Sequence, residues 1–181
     1  MKKIVILAAM LLCSAAASIA QTTATATQTV NLSLSNAIAI TFVATGNNVG
    51  TAVSLPFTTV ADYQNGVTST TQTLKVQSNK AFNVTVNANA ANFTYTGTTT
   101  PAPVMPVTNL NIEVVANTTG GTIAGTFGTA FTDVTNTAQN LITGCTYGGN
   151  QTFGIQYQAT PGYAYPAGTY TTNVVYTATQ P

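Results

Sequence analysis

The sequence predicts an all-β protein: a single immunoglobulin-like β-sandwich of about seven to nine strands, with an N-terminal extension strand. Three observations carry that expectation. Apolar and polar residues alternate over many short segments, the period-two mark of strands with one buried face. The polar residues are dominated by 38 Thr and 17 Asn. Thr favours strands and Asn favours turns, whereas the Leu, Glu, Lys, Arg and Gln palette of helix interiors is thin. Turn residues then recur roughly every ten residues, the spacing of a sandwich rather than of a helix-alternating fold. A chain of 181 residues is long enough to bury one good core.

The chain opens MKKIVILAAMLLCSAAASIAQ. Lys2 and Lys3 precede an apolar run from Ile4 to Leu12, and Ser18-Ile19-Ala20 offers a small-residue cleavage site. Residues 1–20 therefore read as a signal peptide, with Gln21 as the first mature residue and a secreted, cell-surface or extracellular destination. Leu12, ahead of Cys13, is not the small residue a lipidation site wants. No later apolar run is long enough to span a bilayer.

Residues 24–42, ATATQTVNLSLSNAIAITF, alternate without a break. Extended, they would cover about 60 Å, against the usual 17–20 Å of a strand in a globular domain. Two readings account for the surplus. In one, a single strand bends near Ser35-Asn36 and crosses from one sheet to the other. In the other, the halves have different hosts. Ile38, Ile40 and Phe42 continue into the subunit's own core (residues 36–181), while residues 21–35 form a donor strand. Val30, Leu32 and Leu34 would then fill a groove in a neighbouring copy, giving a homo-oligomer or, if the contact does not close into a ring, a filament.

Further along, Thr51–Phe57 is a short apolar-rich piece, and Asn65-Gly66 is a strong turn dipeptide. TQTLKVQ and AFNVTVNA, separated by SNK, read as a hairpin with Leu74 and Val76 on one strand and Phe82, Val84 and Val86 on the other. NFTYT adds Phe93 and Tyr95, and LNIEVVA turns Leu110, Ile112 and Val114 inward. Between residues 132 and 142, Val134, Ala138 and Leu141 have the spacing of a turn or two of helix. Two strands close the chain, one alternating on Phe153, Ile155, Tyr157 and Ala159, the other on Tyr170, Thr172, Val174, Tyr176 and Ala178.

Composition excludes several functions. Past residue 20 the only charges are Asp62, Lys75, Lys80, Glu113 and Asp133, and there is no His, Arg or Trp. Nucleic acid and anionic membrane surfaces demand a basic footprint, so neither is a partner. Without His, the Ser–His and Cys–His nucleophile arrangements are impossible. Zinc and calcium sites lack their ligand types, so no catalytic residue, metal or cofactor is expected. Cys145 is the one cysteine of the mature chain, either a buried inert thiol or half of an intermolecular pair. Tyr147, Tyr163 and Tyr165, in Gly/Pro loops, are the candidate ligand aromatics if the domain is instead an adhesin that holds a surface glycan. A near-neutral surface favours association, which is how the assembling reading enters.

The closing run FGIQYQATPGYAYPAGTYTTNVVYTATQP resembles the last strands of small secreted β-sandwich proteins, among them spore-coat-U-like and chaperone–usher pilin-like subunits. These often end in a Pro-x-Gly-Thr-Tyr turn, here Pro166 to Tyr170, and a Thr/Val strand. The leader followed by an alternating Thr/Val/Leu strand is similar as well. The likeness covers about thirty residues at the end and fifteen at the start, and the disulfide common in those families has no counterpart here. It implies a structural role in a fimbrium or surface fibre, with no catalytic residues to carry over.

Overall fold

Thr, Val and Asn in alternation cannot hide one face of a strand without a second layer to cover it, and the chain supplies that layer itself. In the computed structural model, residues 23–43 and 50–181 are described; the expected leader and most of the turn cluster at 44–50 lie outside them. The chain divides between Leu34 and Ser35. Residues 23–34 carry no helix or strand. The described residues of the second unit hold twelve strands: β1 Ile38–Phe42, β2 Val67–Thr68, β3 Gln72–Ser78, β4 Phe82–Ala88, β5 Thr94–Thr96, β6 Leu110–Asn117, β7 Thr122–Ile123, β8 Thr132–Asp133, β9 Gln139–Cys145, β10 Gly148–Ala159, β11 Thr169–Thr171 and β12 Val174–Thr179. Seven of them (β1, β3, β4, β6, β9, β10 and β12) have five residues or more. The others are short bridges of two or three residues.

One sheet runs β1-β3-β10-β6-β8, with β2 added to β10; the other runs β12-β4-β9-β7, and β11 pairs with β5 apart from both. All pairings are antiparallel. This is the all-β sandwich that the alternation predicts. Leu74, Val76, Ile112, Val114, Phe153 and Ile155 from the first sheet meet Phe82, Val84, Val86, Leu141 and Ile142 from the second in one buried cluster. Each such side chain contributes about 1.5–3 kcal/mol on leaving water.

Two sequence expectations need correction. Residues 72–78 and 82–88 are not a hairpin, because β3 pairs with β1 and β10 while β4 pairs with β12 and β9. Both strands have their apolar faces buried, and that condition is met as well by facing strands in two sheets as by neighbours in one. The corner between them is held by Ser78, whose hydroxyl donates to the Lys80 carbonyl at 2.6 Å and accepts from the Lys80 amide at 3.3 Å. The second correction concerns residues 132–142, where strand β8 and the start of β9 replace the expected helical turn. Val134 and Leu141 are both buried, but they are contributed from either side of a loop, and Ala138 between them is exposed.

A helix appears where only a turn was read. α1, Val60–Asn65, starts from a capping box in which Thr59 and Asp62 bond each other's backbone amides. Gly66 ends it at φ +80, with its amide donating to the Asp62 carbonyl. A Cβ there would lie 2.7 Å from the Ala159 carbonyl oxygen, so only glycine fits.

The sheets are also joined by a buried polar bond. Tyr157 on β10 and Tyr176 on β12 share a hydroxyl–hydroxyl hydrogen bond of 2.8 Å. Tyr176 further meets Phe42 edge-on at 6.1 Å and Phe153 at 6.4 Å between ring centroids. Burial pushes Tyr157 up to about 12 and raises Tyr176 well above its ordinary value, where the neighbouring Tyr157 adds to the rise. A raised folded-state value means the unfolded chain loses these protons first. The pair's stabilisation is therefore complete below about pH 10 and declines from there toward pH 12, by up to ~1.4 kcal/mol per pH unit for each group. We expect Tyr157→Phe to destabilise the fold by about 1–3 kcal/mol at neutral pH, since it orphans the Tyr176 hydroxyl. The Tyr157→Phe/Tyr176→Phe double variant should recover most of that loss and show a shallower decline above pH 10. Urea titrations across that range provide the check, and an unchanged alkaline slope in the double variant would refute the assignment.

Candidate functional site

Every sandwich has edges, and this one treats its two sides differently. On one side the sheets end in β8 and β7, two residues each, with Asp133 at the end of β8. Very short or charged edge strands are the usual protection against adding another chain. On the other side they end in β1 and β12, of five and six residues, reading IAITF and VVYTAT without charge or proline. Among the described residues, β1 is laddered only to β3 and β12 only to β4. The two edges lie together, because the Gln180 side-chain amide at the end of β12 donates to the Ala37 carbonyl before β1 at 3.0 Å.

Asn79 fixes the entry to β1. Its amide side chain donates to the Ser35 carbonyl at 2.7 Å and accepts from the Ala37 amide at 2.9 Å, while its own backbone amide donates to the Ala37 carbonyl. Past this clamp, Ile40 and Phe42 pack half-buried against the core, and Ile38 remains 37% exposed. Before it, Val30, Leu32 and Leu34 are 74, 86 and 88% exposed. The long alternation thus changes character near Ser35, from unladdered chain with bare apolar side chains to a strand that helps cover its own core.

Beyond Phe42 the edge opens into a cavity of about 570 Å3. Its walls include Phe42, Leu110, Tyr157 and Val174 from the two sheets and Tyr170 from β11. The remaining side is the strap of residues 50–57. Val53, Leu55 and Phe57 are half-buried at alternate positions while Ser54 and Pro56 between them are exposed. The strap is pinned at its ends. At one end the Gly50 amide donates to Gln72 Oε1 at 2.9 Å; at the other, the Thr58 and Thr59 amides donate to Asp62 Oδ2 at 2.8 and 2.7 Å. Those backbone donors hold the Asp62 carboxyl below its ordinary value. Within the strap, Pro56 has no N–H to give a ladder.

The candidate ligand aromatics do not form one platform. Tyr163, 66% exposed, stacks on Tyr63 at 5.4 Å and 18°, and its hydroxyl donates to the Val60 carbonyl. Tyr63 in turn packs against Phe57 of the strap at 5.3 Å. Tyr165 is half-buried, edge-on to Tyr170 at 6.3 Å. Tyr147 sits just before β10, whose other end carries Tyr157 and Ala159. At about 3.3 Å per residue β10 spans roughly 35–40 Å, and Tyr163 and Tyr165 follow its far end in the chain. Sequence reasoning singled out neither Tyr63 nor the strap as a site. Their signal was present in the period-two spacing of Val53, Leu55 and Phe57, which Pro56 disguises.

Cys145 is fully buried at the end of β9, and Gly121 approaches it so closely that a Cβ at that glycine would lie 2.8 Å from the sulfur. Burial raises the thiol's pKa. An intermolecular disulfide would therefore need β9 to open. We expect a water-soluble thiol reagent to leave Cys145 unmodified in native protein and to modify it fully in denaturant, as read by intact mass. Rapid native modification would contradict this burial.

Among the described residues, no three His, Cys, Asp or Glu side chains gather into a metal-holding group, and no helix is long and apolar enough to cross a membrane. Comparison with known protein families and with curated proteins finds no match, so the site is read from its own geometry.

Proposed function

We propose that the protein is a secreted structural subunit of a cell-surface fibre or pilus, polymerising by donation of its N-terminal strand to a neighbouring copy. The observation that carries this reading is the exposure of Val30, Leu32 and Leu34 at alternate positions of a segment without charge. Burying them against a partner supplies about 1.5–3 kcal/mol per side chain of gross driving force. Main-chain hydrogen bonds to an open edge supply register, as in other strand additions. The uncharged pair of edges at β1 and β12 supports the same reading, since a long, flat, neutral edge is an invitation to pairing. Donor segment and acceptor edge are different surfaces, so the contact is head-to-tail, and where its rotation does not close into a ring it grows into an open filament.

A monomeric adhesin or carbohydrate-binding module is the second reading. The exposed Tyr163 ring, backed by Tyr63, is the observation in its favour. It leaves the bare apolar triplet in the N-terminal segment without a purpose, and it cannot use Tyr147 in the same platform.

The test is the triple variant Val30→Ser/Leu32→Ser/Leu34→Ser. Because these side chains are exposed, its unfolding free energy should stay within about 0.5 kcal/mol of the parent. Its assembly, followed by size-exclusion chromatography and negative-stain microscopy, should be lost. Filaments that persist in this variant, or a parent that stays monomeric at every concentration, would rule the fibre reading out.

A further inference from the structure

The cavity at the end of the core has the size and the lining of a ligand pocket. Leu110 and Tyr157 border it, both buried and both members of the core cluster. Phe42, Val53, Phe93 and Val174 complete its apolar lining, half-buried and packed against the same cluster. Its volume of about 570 Å3 falls within the ~300–1,000 Å3 of small-molecule sites. Well-packed interiors, by contrast, contain few voids larger than a water molecule. We propose that this cavity is a binding site for an uncharged, mainly apolar small molecule that carries a hydrogen-bond donor.

Three features of the wall define that ligand class. The first is charge. No Lys, Arg, Asp or Glu side chain lines the cavity, so a charged ligand would lose its water there without meeting a counter-ion. The second is that several polar groups of the lining are already engaged. The Tyr157 hydroxyl is bonded to that of Tyr176, the Tyr170 hydroxyl donates to the Pro166 carbonyl, and the Thr172 hydroxyl donates to Asn89 Oδ1. What the two lining tyrosines have left for a ligand is ring surface. The third is an acceptor in reserve. Asn109, half-buried, donates through Nδ2 to the Pro106 carbonyl at 3.0 Å and to the Tyr165 hydroxyl at 3.4 Å. Among the described residues its Oδ1 accepts no hydrogen bond, so a ligand N–H or O–H can satisfy it.

The occupant is therefore a body of rings or chain with few polar atoms, rather than a polyol. A sugar needs a partner for nearly every hydroxyl it buries. Thr169, Thr171 and Asn173 also border the cavity, but they are exposed, and water competes for them. Filling the cavity restores dispersion contacts that its walls lack, and removing apolar surface from water drives entry. Every residue of the site belongs to one copy, so the inference does not rest on the fibre reading.

Two dyes of one skeleton test it on the full mature chain. N-phenyl-naphthylamine is uncharged and carries one N–H; anilinonaphthalene sulfonate adds an anionic group. The amine should bind saturably at one per chain, read by its fluorescence, and at least ~tenfold more tightly than the sulfonate. Val174→Trp, which fills the cavity from β12, should weaken the amine at least ~tenfold while keeping β-sheet circular dichroism and cooperative urea unfolding. Val53→Trp fills it from the strap and serves where Val174→Trp does not fold. The Val30→Ser/Leu32→Ser/Leu34→Ser variant should bind the amine as the parent does, which separates this site from the exposed triplet. Absence of saturable binding, equal affinity for the sulfonate, or undiminished binding in a folded filling variant overturns the proposal. Loss of binding in the triple-serine variant overturns it too. Displacement of the amine by a free disaccharide overturns the ligand class in favour of a sugar.

Discussion

Among the described residues, β12 is laddered on one side only, and much of the molecule can be understood from how that flank is handled. A terminal strand with one ladder exposes a row of N–H and C=O groups beside the seam between two sheets. β1 lies along the seam from the other sheet, fixed by Asn79 and Gln180 and by the contact between Phe42 and Tyr176. Past Phe42 the description resumes at Gly50, and Val53, Leu55 and Phe57 of the strap line the cavity there. The same flank therefore passes from laddered sandwich to a cavity bordered by the strap.

The tyrosine pair shows why the seam holds where it does. A lone buried hydroxyl would weaken the core, but two that satisfy each other across the sheets turn the same burial into a cross-link. Tyr176 sits where β1, β10 and β12 converge, so its ring and its hydroxyl together set the spacing between the layers. The opposite flank needs no such device. β7 and β8 are too short to template a strand, and Asp133 puts a charge beside the pairing. The two flanks are therefore asymmetric: one ends in strands of two residues with Asp133 beside them, the other in uncharged strands of five and six residues.

Much of the fold was legible in the residues. Period-two alternation found β3, β4, β6 and β10, ran β11 and β12 together as one strand, and identified most of the side chains that fill the core. It could not say which strand pairs with which. Leu74 and Val76 bury equally well beside Phe82 or opposite it, so the apparent hairpin at SNK became a crossing between sheets. Spacing misled at 132–142 because Val134 and Leu141, separated by a loop, fall at a helical interval. The helix at Val60–Asn65 escaped notice because it is short and has no buried residue to set a period; only its capping box marks it.

By itself, the sequence determined the chemistry: strands of Thr and Val, no histidine, few charges, and a charge-free apolar triplet ahead of the first strand. Those are properties of residue type and local order, and they survive any arrangement of the chain. Only the tertiary structure decided which edges stay open, that Cys145 is closed off, that Tyr147 is remote from Tyr163, and that Val53, Leu55 and Phe57 cover a cavity. These depend on contacts between residues far apart in the chain, and a local hydrophobic pattern satisfied by several pairings carries no information about which one forms.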